Sequence, residues 1–313
     1  MALTLLEAAK LVSGNVQRAG IIELFARNSD VLANLPFDDI PGGSLTYNQE
    51  GALPGVAFRG VNEAYTEGVG VINPVTEVLT IAGGDMDVDR SLIKTRGPGI
   101  RAVHEAMKVK ALAQQWHLKF IKGDSSSSPK EFDGLQSRLT GTQLIANSSA
   151  EDGAGLSYAK LDEAIDAVDD ATHLIMSKAM KRKFMAAQRA FSVSGYVTFE
   201  PDTLGQVITR YNGLPILVAD HSDIASGYAA LGFNETPSGG ASGTPAATSV
   251  YVVSMREGML TGIQNGGIEV MDLGQQDSKP VMRTRIEWLS GIALMHPRAA
   301  ARLSSIKDAD ITA

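Results

Sequence analysis

Pro280-Val281-Met282-Arg283-Thr284-Arg285-Ile286-Glu287-Trp288-Leu289 is followed, after Ser290, by Gly291-Ile292-Ala293-Leu294-Met295-His296-Pro297-Arg298-Ala299-Ala300-Ala301-Arg302-Leu303. In the first run Val281, Arg283, Arg285 and Glu287 alternate with Met282, Thr284, Ile286 and Trp288, so charge falls on one side and bulk on the other. That is the period of a pleated strand. His296 precedes Pro297, whose ring disfavours continuation, and is expected to be a structural residue that ends the strand.

Two stretches further upstream belong with this ending: Glu131-Phe132-Asp133-Gly134-Leu135, and Asn212-Gly213-Leu214-Pro215-Ile216-Leu217-Val218. Together, and in this order, the three resemble the tailed-bacteriophage major capsid proteins with the Johnson fold, first described in the phage Hong Kong 97. That family ends in GIAL-x-HPRAAARL, carries EFDGL after its long helix and has a GIPIL strand. The resemblance implies an α+β protein with the Hong Kong 97-like capsid fold: an N-terminal arm, an extended β-hairpin loop, a long spine helix, a peripheral domain and an axial α/β domain.

Composition is compatible with that expectation. At 313 residues the chain exceeds the size at which one core closes comfortably, so two domains or one elaborated domain is expected. Hydrophobic residues make up 44% and charged residues 20%, an ordinary balance for a folded protein in water. There is no cysteine, which excludes disulfides, thiolate zinc sites and a cysteine nucleophile. The first residues have neither a basic segment nor a long apolar run, so neither a signal peptide nor a membrane anchor is expected there. Net charge is −7 with Lys and Arg scattered, which argues against tight binding along a phosphate backbone. The densest basic cluster, Lys178, Lys181, Arg182, Lys183 and Arg189, reads as a solvated helix face.

Along the chain, residues 1–41 are expected to form the arm, with helical spacing over 3–12 and 15–27 and then an extended stretch from Val31 to Pro41. Helices this short are marginal alone and must dock on something. Residues 42–76 are expected to be the extended loop, with Leu45 to Tyr47, Val56 to Arg59 and Val69 to Ile72 as short strands. This ribbon has too few large apolar side chains for a core of its own and should lie on a partner. Residues 77–139 are the first part of the peripheral domain, opening with a strand from Glu77 to Ala82. Its spine helix is predicted over 99–122, roughly 36 Å long. Ile100, Val103 and Met107 share one face of that helix while Val109, Leu112, Ala113, Trp116 and Phe120 lie nearly opposite, so the buried side is expected to change midway. Residues 140–263 alternate helices and strands as an axial domain. It holds a stripe at Leu161, Ala164, Ile165 and Val168, a strand from Ala171 to Met176, a helix from Lys178 to Phe191 and a hairpin turning at Asn212-Gly213. A long surface loop is expected from Ser222 to Ser249, then a strand from Val250 to Met255. Residues 264–313 are expected to return to the peripheral sheet and finish the chain.

Catalytic, cofactor and metal motifs are missing. Asp85 to Asp89 lacks the glycine and final carboxylate of a calcium loop, because Arg90 and Arg96 stand there. In His104-Glu105-Ala106-Met107-Lys108 a lysine occupies the place of the second zinc-binding imidazole. No phosphate loop or nucleophile elbow occurs, and the Gly68-Val69-Gly70 stretch lacks the third glycine of a dinucleotide fingerprint. Asp220-His221-Ser222 gathers triad residue types, but neighbours in sequence do not generally adopt triad geometry.

What the resemblance implies is therefore structural: a subunit assembling with identical copies into hexamers and pentamers of an icosahedral head. The head encloses double-stranded DNA without sequence-specific binding. Its partners would be a separately encoded scaffolding protein, a portal and a decoration protein, with no membrane. Its location would be the virion, assembled in the bacterial host cytoplasm. An encapsulin-like nanocompartment shell is the alternative within the fold, and a soluble hydrolase the alternative outside it. Some relatives join subunits through a lysine in the extended loop; no lysine occurs between Lys10 and Lys94, so that crosslink is not expected. Interface candidates are Glu50, Arg59, Glu63 and Glu67 in the loop, pairing with Arg90, Arg283, Arg285 or Glu287 of adjoining subunits. Exposed pairs of this kind set register more than strength.

Overall fold

The computed structural model describes residues 3–4, 29–97, 99–190, 197–201, 207–219, 232–237 and 247–312. Along them run β1 (Leu3–Thr4), α1 (Asp30–Asn34), β2 (Pro36–Asp39), β3 (Ser44–Ala52), β4 (Val71–Val78), β5 (Thr80–Asp89), α2 (Arg90–Arg96), α3 (Gly99–Lys122) and α4 (Leu135–Arg138). Then follow β6 (Leu144–Ala146), α5 (Tyr158–Asp166), β7 (His173–Met176), α6 (Lys178–Ala190), β8 (Val197–Pro201), β9 (Val207–Tyr211), β10 (Leu214–Val218), β11 (Ala247–Val253), β12 (Leu260–Gln275), β13 (Val281–Leu294) and β14 (Ala300–Lys307).

The alternation that opens the sequence is realised in β13, which lies between β12 and β5, antiparallel to both, in a five-stranded sheet of order β1-β2-β12-β13-β5. Thr284, Ile286 and Trp288 are buried on one face, whereas Arg283, Arg285 and Glu287 remain solvated on the other. The C-terminal half of α3 covers the buried face. Trp116 stands 5.8 Å from Trp288, and the Phe37 ring packs 5.9 and 5.4 Å from the two indoles. Each indole N–H keeps a partner inside this apolar cluster, Trp116 donating to Ser290 Oγ at 3.2 Å and Trp288 to Gln264 Oε1 at 3.1 Å. Phe37 also explains Gly262, because a Cβ there would sit 2.4 Å from the phenyl ring.

A seven-stranded sheet of order β6-β14-β11-β7-β10-β9-β8 forms the second body. Its central strands are covered on both faces, which is why they read as unbroken apolar runs. In β11, Tyr251 and Val253 face the cluster around Trp116, whereas Val250 and Val252 face a second cluster beneath α5 and α6. There Tyr158, Phe184 and Tyr211 pack ring against ring at 5.5 to 5.8 Å. The β9–β10 turn falls at Asn212-Gly213 as expected, both residues taking the positive φ that such a turn requires (48° and 79°). Arg302 is buried in this sheet, its guanidinium donating to Glu235 Oε2 at 2.5 Å and to Ser249 Oγ at 3.2 Å.

Several expectations need correction. Of the extended stretch expected from Val31 to Pro41, the first part is the helix α1 and only Pro36–Asp39 is extended, as β2; Val31, Leu32, Leu35, Phe37 and Ile40 are buried in the chain's own body. They pack because Ser29 caps the helix and Phe37 fills the space left by Gly262. The helices expected over 3–12 and 15–27 lie almost wholly outside the described residues, of which only β1 falls in that span. The strand expected from Glu77 to Ala82 breaks at Leu79, between β4 and β5. Val56 to Arg59 is not a strand. In α3 the second buried face is real, but Val103 and Met107 are 58% and 62% exposed, because in the first turns it is the face of Arg101 and Glu105 that meets the sheet, at Thr284. The boundary at residue 263 falls inside β12, and the chain does not finish in the peripheral sheet: β14 crosses to pair with β11 and β6. Of the loop from Ser222 to Ser249, the described residues Phe233, Glu235, Ala247 and Ser249 are buried, held by the Arg302 contacts and by β11.

Candidate assembly interface

Between β2 and β5 the chain leaves the body as a two-stranded hairpin, β3 against β4, paired from Ser44↔Val78 outward to Glu50↔Ile72. Burial fades along it. At the root, Leu45 and Tyr47 pack on a small cluster of Ile40, Leu79, Ile263 and Ala293. Further out every residue from Glu50 to Pro74 is exposed. Leu53, Val56, Phe58, Val61, Tyr65 and Val69 present their apolar side chains at 69–107% exposure. Large apolar side chains exposed close together along one segment are characteristic of contact surfaces.

The tip is nevertheless ordered by its own contacts. The Arg59 guanidinium lies 5.0 Å from the centre of the Tyr65 ring and donates to the Glu63 carbonyl at 3.2 Å, while Glu63 Oε2 accepts from the Gly60 N–H at 2.8 Å. Two of the candidate residues, Arg59 and Glu63, are thus brought together within one tip. Glu50 and Glu67 stand exposed on the hairpin.

On the peripheral sheet the remaining candidates are placed otherwise than expected. The β5–β13 register sets Arg283 opposite Asp87 and Arg285 opposite Asp85. Both guanidiniums bind their facing carboxylates in two-pronged fashion, Arg283 at 2.6 and 2.7 Å and Arg285 at 2.6 and 3.0 Å. Hydrogen bonds from these arginines hold the Asp85 and Asp87 carboxyls below the usual carboxylate range. A carboxylate from a neighbouring subunit would have to displace an existing pair. Glu287 lies beside this ladder, 3.8 Å from Arg285. Arg90 opens α2 and reaches Gln275 at 3.4 Å. Sequence could show the alternation but not which acid stands opposite which base, because that depends on strand register.

A feature the sequence did not reveal lies between the outer edge of β5 and α3. A cavity of about 530 Å³ is lined by Ile81, Ala82, Leu112, Trp116 and Phe132, with Lys108, Lys119, Lys130 and Glu131 at its rim. Ile81 is 70% exposed and Lys119 is tied to Glu131 at 2.6 Å. Three separate segments, a strand, a helix and the loop after it, supply the walls, so no single local pattern announces the groove.

The other motifs singled out in the sequence come to little. Among the described residues no group of three or more His, Asp or Glu side chains is placed to hold a metal, and no helix is long and apolar enough to cross a membrane. His104 is an exposed residue of α3. Asp220, His221 and Ser222 lie outside the described residues.

Residues 13–156 match the family model described as Major capsid protein GP7. No curated protein matches the sequence. Among solved structures, the holo-SrpI encapsulin complex from Synechococcus elongatus PCC 7942 is similar over 100% of this chain and 99% of its own, with a TM-score of 0.64 and 14% identity. The capsid of a native GTA particle is similar over 89% of this chain and 90% of its own, with a TM-score of 0.62 and 12% identity. A chain of Mycobacterium phage Bobi is similar over 91% of both chains, with a TM-score of 0.58 and 12% identity. At such identities what is shared is the fold. The spine helix, the projecting hairpin and the two sheets are the parts the resemblance to tailed-phage major capsid proteins implied, and the family match points the same way.

Proposed function

We propose that this chain is a major capsid protein, a structural subunit and not an enzyme, whose copies form hexamers and pentamers of an icosahedral head around double-stranded DNA. The observation that carries this reading is the bare hairpin. Among the described residues nothing covers its apolar tip, and the same chain offers a groove of matching character. The hairpin between residues 42 and 76 carries three carboxylates, Glu50, Glu63 and Glu67, against one guanidinium, Arg59. The groove rim carries three lysines, Lys108, Lys119 and Lys130, against Glu131. Apolar tip to apolar floor, and acidic loop to basic rim, is a heterologous contact that closes into rings when repeated by rotation. Many such contacts in a closed shell hold one another through effective concentration. Glu50, Arg59, Glu63, Glu67, Arg90 and Glu287 are the charged groups available to fix register; Arg283 and Arg285 serve the fold of their own subunit first.

Separate scaffolding, portal and decoration proteins and assembly in the bacterial cytoplasm complete the reading. Electron microscopy and velocity sedimentation of the purified protein test it. Capsomer rings or shells are expected, and a species that stays monomeric at high concentration would overturn it. A second reading, a nanocompartment shell, is favoured by the full-length likeness to the encapsulin. Native particles containing nuclease-protected DNA support the first; particles containing a packaged enzyme support the second.

A further inference from the structure

We propose that Glu77 and Arg138 are positioning residues for assembly: their buried ion pair sets the direction in which the hairpin leaves the body. Glu77, in β4, is only 8% exposed. Its carboxylate accepts both terminal nitrogens of Arg138, Nη2 at 2.6 Å, and the Tyr47 hydroxyl at 3.2 Å. Arg138 Nε in turn donates to the Asp133 carbonyl at 2.8 Å, and its Nη2 lies 3.4 Å from the Ile292 carbonyl. The Tyr47 hydroxyl is also 2.9 Å from the Leu294 carbonyl, to which Gln49 Nε2 donates at 3.1 Å. One guanidinium therefore joins three separate pieces of chain: the hairpin root, the segment after the spine helix and the end of β13.

Packing alone does not fix that direction. On one flank the root rests on the small apolar cluster around Ile40 and Leu79. On another side lies a cavity of about 540 Å³ bordered by Gln49, Arg138, Thr142, Leu294 and Pro297. On that side the hairpin is held by hydrogen bonds and not by packing: Tyr47 and Gln49 donate to the Leu294 carbonyl, and the most directional restraint is the planar, two-pronged fork of the arginine on Glu77, a geometry that resists twisting. The lever is long. From Tyr47 to the end of β3 the strand runs roughly 17–20 Å at about 3.3 Å per residue, so a swing of about 15° moves its far end by roughly 5 Å. A displacement of one inter-strand spacing takes the tip out of register with a neighbour's groove.

This inference rests on the capsid reading, but the test separates the two. The chain has no cysteine, so Val61→Cys with Lys110→Cys, both exposed positions, accept a pair of spin labels without background. Electron–electron distance distributions are measured on unassembled subunits carrying Glu77→Leu with Arg138→Met, a pair that leaves no buried charge unpaired. The expected result is a melting temperature within a few degrees of the parent, a label distance distribution at least about twofold broader, and heterogeneous shells. A distribution as narrow as the parent's overturns the proposal, and so does a broadened one that still yields uniform shells. Should that pair fail to fold, Arg138→Lys, which keeps the charge but loses the fork, is read by the same criteria. If the parent itself never assembles, the capsid reading fails, and the distance measurement still decides whether the ion pair aims the hairpin.

Discussion

Phe58 at the hairpin tip and Trp116 in the spine helix are both large aromatic side chains, yet one is wholly exposed and the other is 2% exposed. The difference lies in what surrounds them along the chain. Trp116 is followed by Phe120 one turn on and faces Trp288, Phe37 and Phe132, so three layers of the same chain cover it. Phe58 sits at the end of a two-stranded ribbon with nothing behind it, an arrangement of at best marginal stability in isolation. One region therefore carries the stability of the fold, and the other carries the exposed surface that the proposed assembly would bury. Substitutions in the two should separate folding from assembly.

The largest effect is expected at the core. Trp288→Ala removes a fully buried indole and leaves a cavity, which should cost about 3–5 kcal/mol of unfolding free energy in denaturant titration of the unassembled subunit. A loss under about 1 kcal/mol would show that the two-tryptophan layer is not what joins α3 to the sheet. Next comes the buried pair of the second body. Arg302→Met leaves Glu235, 5% exposed, without its cation, and should cost about 3 kcal/mol or more by the same measurement. The surface counterpart, Arg283→Met, should shift the curve far less, because its partner Asp87 is solvated even though the contact geometry is as good. Equal losses would mean that geometry outweighs burial.

At the tip the balance reverses. Arg59→Glu removes the stacking on Tyr65 and adds a fourth carboxylate to an acidic hairpin. Unfolding free energy should change by no more than about 0.5 kcal/mol, since nothing is buried there. Shells counted by electron microscopy should be largely lost. Normal particles from this variant would break the contrast between the two regions.

The parts of this contrast that were legible in sequence are those set by short-range patterns. The alternation of Arg283, Arg285 and Glu287 with Thr284, Ile286 and Trp288 gave the faces of β13, and helical spacing gave α3 over the predicted 99–122. Asn212-Gly213 announced its own turn because few other residues take positive φ at both positions. The paucity of bulk in residues 42–76 pointed to a ribbon without a core of its own, which is the β3–β4 hairpin. What stayed hidden depends on contacts distant in sequence. Nothing local tells β14 to leave the sheet of β13, since that choice belongs to its pairing with β11 and β6. The Phe37 ring fits only because position 262, more than two hundred residues away, is a glycine. The engagement of Arg283 and Arg285, the groove beside α3 and the guanidinium at the hairpin root are likewise products of register and packing.

The smallest effect concerns Asp124, in the turn that closes the spine helix, and it probes the boundary between the two regions' chemistry. Its carboxylate accepts from the Ser126 N–H at 3.0 Å and from the hydroxyls of Ser126 and Ser127 at 2.6 Å each. Those hydrogen bonds favour the ionised form and pull its pKa down to about 2. A carboxyl depressed in the folded state contributes stability that is present above the unfolded value, about 3.9, and fades as pH falls toward 2. Asp124→Asn should therefore lower stability slightly at neutral pH, where the ionised carboxylate contributes in full, and remove the part of the pH dependence that falls between about pH 4 and pH 2, leaving shell assembly unchanged. Side-chain carboxyl shifts followed by NMR on the unassembled subunit should show this group titrating well below the ordinary aspartate value. A midpoint near the ordinary value would mean that the serine turn opens in solution, and that the spine helix ends by fraying instead of by a hydrogen-bonded stop.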